Sequence, residues 1–347
     1  MNKGILSLII FVLLAGLCVA ASSHELSAMP KTTFSLSCNP EENTTVVLQG
    51  KTLVMRNFSQ SNDFDYIIIK LTGNQGFLSV KKSKNARKDT YDVKFRLHDI
   101  PNGTYAVEVY HASQKYASYT GYTPGQTMQI KVHDSFIEFI EPLTFARNKA
   151  VFDANTSDMD TLRFYLQPSS KVESDDPSIV EQAGAITAGA FSDYSKAKAI
   201  HDWVAQSIWY DFDELDSGVY LDKTARETLV SQTGVCVDYA SLTAALLRAV
   251  GIPAKLVTGY VLDTAAQEIW TQTLIDGNKS NHVWNEAYIE GRWIVIDTSY
   301  DSNNAFVNGR FSTGTGLKNS RYFDISIDLL SVDRYILQKH LDPLRLR

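Results

Sequence analysis

Cysteine is scarce in this chain: Cys18, Cys38 and Cys236 are the only three in 347 residues. That excludes a small disulfide-knit scaffold, and with no short Cys or His ligand spacing it argues against a structural zinc module. Positive charge is not in excess. With 33 Lys and Arg against 39 Asp and Glu the net charge is −6, which offers neither nucleic acid nor an anionic membrane a complementary surface. Beyond the first twenty residues no apolar run is long enough to cross a bilayer. No glycine-rich phosphate loop occurs either, so no cofactor is expected. What remains is ordinary globular composition, 44% hydrophobic and 21% charged, in a chain long enough for two domains.

The N-terminus reads as a secretory signal peptide over residues 1–21. Asn2 and Lys3 precede an apolar run from Gly4 to Leu17, and small residues follow. This predicts a secreted or cell-surface protein, with membrane association only if the segment is retained as an anchor. A flexible polar leader is expected over 22–43 and a β-rich region over 44–134. Within that region Val93, Phe95 and Leu97, then Tyr105, Val107 and Val109, then Met128, Ile130 and Val132 alternate as in sheets buried on one face, which suits a small sandwich. His98, His111 and His133 are scattered and carry no ligand pattern. Residues 135–174 read as a connector docking through Phe136, Phe139, Ile140 and Phe145, and 175–347 as a second, mixed domain. The overall class is α+β.

In the second domain Asp176-Pro177 and Ser192 are helix starts, and Thr224 with Glu227 has capping-box spacing. Ile200, Trp203, Val204 and Ile208 form an apolar stripe, with His201 read as a helix-surface residue. From Ala240 the apolar residues Leu242, Ala245, Leu246, Ala249 and Val250 recur at helical spacing until Gly251 and Pro253. Cys236 therefore stands at a helix N-terminus, where free N–H groups and the helix dipole favour an anion, and the thiolate is the nucleophilic form of cysteine. Asn281 to Asp301 reads as a hairpin turning at Glu290-Gly291-Arg292, with His282 and Asp297 at its two open ends and so side by side. Cys236, His282 and Asp297 then supply a nucleophile, a base and a group orienting the base. A disulfide to Cys38 would remove that nucleophile. Cys236 is expected free, because Cys38 sits in a tail with no local framework for pairing. The segment from Arg321 to Leu341 suggests a closing strand.

Gly234, Cys236, Tyr239, Ala240, Leu247, Gly251, Ile252, Pro253, Ala254, Gly259 and Tyr260 resemble the cysteine motif of the transglutaminase-like superfamily. His282, Trp284, Gly291, Trp293 and Asp297 resemble its histidine and aspartate motifs, and Lys196 to Asp211 the helix that precedes them. Thr298-Ser299 in place of Pro-Thr, and Asn285 in place of a glutamate, look closer to the kyphoscoliosis-peptidase-like branch. The resemblance implies a papain-like catalytic domain with a Cys236–His282–Asp297 triad, acting on amide bonds of a protein, peptide or cell-wall peptide through an acyl-thioester. It leaves hydrolysis and amine transfer both open. An aromatic donor upstream of the cysteine, Trp209 or Tyr210, is implied for the oxyanion or the substrate wall, and spacing does not choose between them. The rival reading is a noncatalytic surface scaffold on the same fold; a zinc site on the same three residues lacks the usual spacing.

Overall fold

The computed structural model describes residues 33–39, 42–49, 52–59, 65–73, 76–84, 90–115, 123–133, 136–263, 266, 268–314 and 320–338. The expected signal peptide lies outside them. Nine strands come first: β1 (Thr33–Asn39), β2 (Glu42–Gln49), β3 (Thr52–Ser59), β4 (Tyr66–Gly73), β5 (Gly76–Ser83), β6 (Thr90–Arg96), β7 (Gly103–Ala112), β8 (Thr123–Val132) and β9 (Ile137–Phe139). They form two antiparallel sheets, ordered β1-β2-β3-β6 and β5-β4-β7-β8-β9. Met55, Tyr91, Val93 and Phe95 of the first pack with Ile67, Leu71, Val107 and Ile130 of the second, as the sandwich reading requires. β1 overturns the flexible leader. Phe34, Leu36 and Cys38 alternate with serines at the strand period, and the strand adds to the edge of β2.

The connector carries α1 (Phe145–Asp153) and α2 (Met159–Phe164). Its anchorage is more polar than the sequence suggests. Asn148 is fully buried; its amide donates to Ser331 Oγ and to the Arg334 carbonyl and accepts from the Ile336 N–H. Then follow α3 (Pro177–Thr187), α4 (Asp193–Ser207), β10 (Trp209–Asp211), α5 (Phe212–Ser217), α6 (Ala225–Ser231), β11 (Thr233–Gly234), α7 (Cys236–Ala249) and β12 (Ala254–Val261). The chain continues through α8 (Gln272–Asp276), β13 (His282–Ile289), β14 (Arg292–Ile296), α9 (Thr298–Asp301), β15 (Asn304–Val307), β16 (Arg310–Thr313), α10 (Ile327–Asp333) and β17 (Arg334–Gln338). The expected caps form at Asp176, Ser192 and Thr224. The tail is a correction: the apolar run through Leu329 and Leu330 is helical, capped by Ser326, and the closing strand begins only at Arg334.

An antiparallel sheet ordered β14-β13-β12-β17 stands at the centre of this half. Strand alternation sends successive side chains to opposite faces. Leu256, Ala287, Ile294 and Ile296 pack with Leu242, Leu246 and Ile200 under α7 and α4, while Val257, Trp284, Val295 and Ile336 join the sandwich core. At the hairpin tip Glu290 and Gly291 have φ of 50° and 88°, the paired left-handed turn that fits strand twist.

Candidate active site

Cys236 opens α7 as a half-buried free thiol. The turn before it is fixed by Asp238, whose Oδ2 accepts from the Val235 N–H at 2.9 Å. Only glycine fits at 234, because a Cβ there would lie 2.6 Å from that of Asp238. Asp238 is buried with its second oxygen unpartnered, and burial pushes its carboxyl up to about 6. Whether Cys38 pairs with anything falls outside the described side chains.

His282 begins β13 opposite Gly259, and Asp297 follows β14 as the cap of α9. Their side chains meet: His282 Nε2 lies 2.8 Å from Asp297 Oδ2, both residues buried. The Cys236 sulfur lies beside the same ring and favours its charged form. Burial favours a neutral imidazole, yet the Asp297 carboxylate and the sulfur outweigh it and raise His282 to about 9. Asp297 is held well below the usual carboxylate range against its own burial by His282, by Arg334 and by the Tyr300 N–H. The imidazole and the carboxylate are thus hydrogen-bonded, with the sulfur of Cys236 beside the ring, and the three form one row.

Of the two aromatic candidates only Tyr210 faces this row. Successive residues of β10 point to opposite sides, and β10 pairs in parallel with β11, placing Tyr210 opposite Gly234. The Tyr210 hydroxyl lies within electrostatic reach of Cys236, Tyr300 and Asp297. Burial first, then the nearby sulfur, Tyr300 and Asp297, hold the phenol far above its ordinary range, so it stays protonated. Trp209 instead packs edge-on against Phe311 at 5.4 Å.

Sequence reasoning missed three neighbours. Ser299 Oγ donates to Asp297 Oδ1 at 2.9 Å, Tyr300 sets its ring edge-on to His282 at 4.8 Å, and Arg334 donates from Nη2 to Asp297 Oδ2 at 3.2 Å. The first two follow from Asp297 being a helix cap, a signal present in Asp-Thr-Ser-Tyr; nothing local marks Arg334. His201 is a correction. It is fully buried rather than on the helix surface, with Nδ1 at 2.9 Å from Asp202 and Nε2 at 2.9 Å from Asp301, and so ties α4 to α9. Among the described residues no group of three or more His, Cys, Asp or Glu is arranged to hold a metal ion.

Residues 180–298 match the profile of the Transglutaminase-like superfamily, and this interval holds all three side chains of the row. The chain carries a transglutaminase-like domain. Among curated proteins the domain is similar to kyphoscoliosis peptidase of Mus musculus, 30% identical over 134 residues, and of Homo sapiens, 29% identical over the same length. Each match covers 39% of this chain and 19% of the relative, so the chain spans about a fifth of the length of those proteins. Among solved structures, a Cytophaga hutchinsonii protein described as a candidate cysteine protease is 19% identical, with 91% of this chain and 87% of that one covered at a TM-score of 0.34.

Proposed function

We propose that the transglutaminase-like domain is a cysteine acyltransferase or hydrolase acting on amide bonds of proteins or peptides, and that its N-terminal segment directs it out of the cell. The observation that carries the reading is the row itself: a thiol at a helix N-terminus, an imidazole electrostatically coupled to it, and a carboxylate 2.8 Å from the imidazole's Nε2. In this reading the Cys236 thiolate attacks the carbonyl carbon. The C–S bond forms, the C–N bond breaks, and the amine leaves with the proton carried by His282. Water or a second amine then attacks the thioester, gives its proton to His282 and releases the thiolate. Asp297 fixes the ring orientation and stabilises the imidazolium throughout. In this reading the Tyr210 hydroxyl and the Cys236 N–H are the donors that the oxyanion accepts from. Kyphoscoliosis peptidase is a peptidase by name, which favours peptide bonds as substrate and water as acceptor.

The test uses a glutamine-containing protein incubated with the purified chain and a fluorescent primary amine, read by mass spectrometry. Amine incorporation marks transfer, a one-dalton gain marks deamidation, and new termini mark peptide hydrolysis. Each is expected to vanish in Cys236→Ala. In Tyr210→Phe, kcat is expected to fall on the order of 10²-fold with Cys236 alkylation unchanged. No product of any kind, across glutamine-rich proteins and cell-wall peptides, would leave the scaffold reading.

A further inference from the structure

Arg334 is the first residue of the last described strand, 37 residues beyond Asp297, and it is fully buried. A guanidinium without solvent needs partners, and these are specific. Nη1 donates to Asp333 at 2.8 Å and Nη2 to Asp297 at 3.2 Å. The planar group lies in the corner made by two rings set 76° apart, its central carbon 3.8 Å from the Tyr322 centroid and 4.3 Å from that of Tyr300. Tyr322 closes the frame by donating its hydroxyl to Asp333 at 2.9 Å. The backbone beneath is fastened too, because Asn148 takes the Arg334 carbonyl. A side chain so confined cannot be exchanged for a floating surface cation.

The oxygen that Nη2 reaches is Asp297 Oδ2, the same one that accepts from His282. Oδ1 is already engaged by Ser299 Oγ and the Tyr300 N–H. The charged and titratable groups around the imidazole are Cys236 from α7, Tyr210 from β10 behind the sulfur, Asp297 and Tyr300 from α9 and its cap, and Arg334 with Asp333 from β17 and α10.

Resting on the functional reading above, we propose that Arg334 is a positioning residue of the catalytic row: by sharing Oδ2 it fixes the Asp297 carboxylate and weakens that carboxylate's grip on the proton His282 must deliver to the leaving amine. A buried carboxylate with the imidazolium as its sole cation would hold the proton too tightly for a general acid. With Arg334 bound to the same oxygen, the pair keeps its geometry while part of the attraction is spent on a second cation. The domain therefore depends on a strand beyond its recognised motifs.

The experiment follows the His282 titration by NMR in histidine-labelled protein, the resonance being assigned with His282→Gln. Arg334→Gln is expected to move the midpoint upward by about one pH unit, and Arg334→Lys, which keeps the charge, to stay near the parent. Because Arg334→Gln takes a cation from buried Asp297 and from half-buried Asp333, the shift is also read in Arg334→Gln/Asp333→Asn, which removes the second carboxylate. Folded Arg334→Gln proteins, single or double variant, whose His282 midpoint matches the parent would overturn the proposal. That readout needs no turnover, so a chain with no Cys236-dependent product but a shifted midpoint would separate failure of the functional reading from failure of this one.

Discussion

At His282 the row makes a pH dependence whose sign can be worked out. The folded imidazole holds its proton to about pH 9, whereas the unfolded one lets go near its ordinary value of 6.5. The ion pair's contribution to stability is therefore fully present below pH 6.5 and is lost as pH rises through 9, amounting to at most roughly 3 kcal/mol. Urea midpoints measured from pH 6 to 9.5 are expected to fall in the parent and to fall less in His282→Gln. Turnover should decline above about pH 9, where the imidazolium is no longer there to protonate the leaving amine. Asp238, on the same helix turn as Cys236, is instead favoured in its neutral form. Its carboxyl is raised to about 6 by burial, so its favourable contribution is complete below its unfolded value of 3.8 and disappears as pH climbs through 6. At neutral pH it is a buried charge with one oxygen unpartnered. Asp238→Asn retains an oxygen for the Val235 N–H and is expected to raise stability at pH 7 by roughly 1–3 kcal/mol, with the gain vanishing at pH 4. Equal gains at both pH values would show that charge is not the cause.

Among the elements, β12 bears the tightest constraint. Gly259 pairs with His282 on one side and Ile336 on the other, and a Cβ there would run into the Tyr335 carbonyl and the Trp284 ring, both far inside van der Waals contact. Gly259→Ala is expected to cost at least about 2–3 kcal/mol. It should also push β17 outward, so that the His282 titration moves as it does in the Arg334 variants. An unmoved titration would show that β17 accommodates the methyl group without displacing Arg334. This also marks the limit of what the sequence makes legible. The helix at Cys236, the hairpin from His282 to Asp297 and the caps at Asp176, Ser192 and Thr224 are written locally, in periodicity and turn chemistry. Arg334 is not. Its meaning comes from a long-range strand pairing, and the apolar residues ahead of it alternate closely enough to resemble a strand when they are in fact α10. His201 fails for the same reason, since what buries it is Asp301, a hundred residues away. Tyr210 was within reach, but the choice over Trp209 required knowing which face of β10 meets α7.

For the whole molecule, the expected division at residue 134 is not where the core divides. Sandwich residues such as Leu71, Val107 and Ile130 share one apolar cluster with Val257, Trp284, Val295, Leu329 and Ile336 of the later half, and α10 packs on β8. The β14-β13-β12-β17 sheet therefore has the sandwich as the cover of one face, and the two halves should unfold together. All five tryptophans, Trp203, Trp209, Trp270, Trp284 and Trp293, belong to the later half, with Trp284 alone among them in the shared cluster, so their fluorescence reports chiefly on that half. Leu71→Ala, a truncation deep in the sandwich at a fully buried position, is expected to cost about 2–5 kcal/mol. If the core is one unit, the urea midpoint seen by tryptophan fluorescence drops by as much as the midpoint seen by far-ultraviolet circular dichroism. A tryptophan midpoint that stays at the parent value while the circular dichroism transition splits in two would mean that the sandwich melts alone and that the row at Cys236 stands without it.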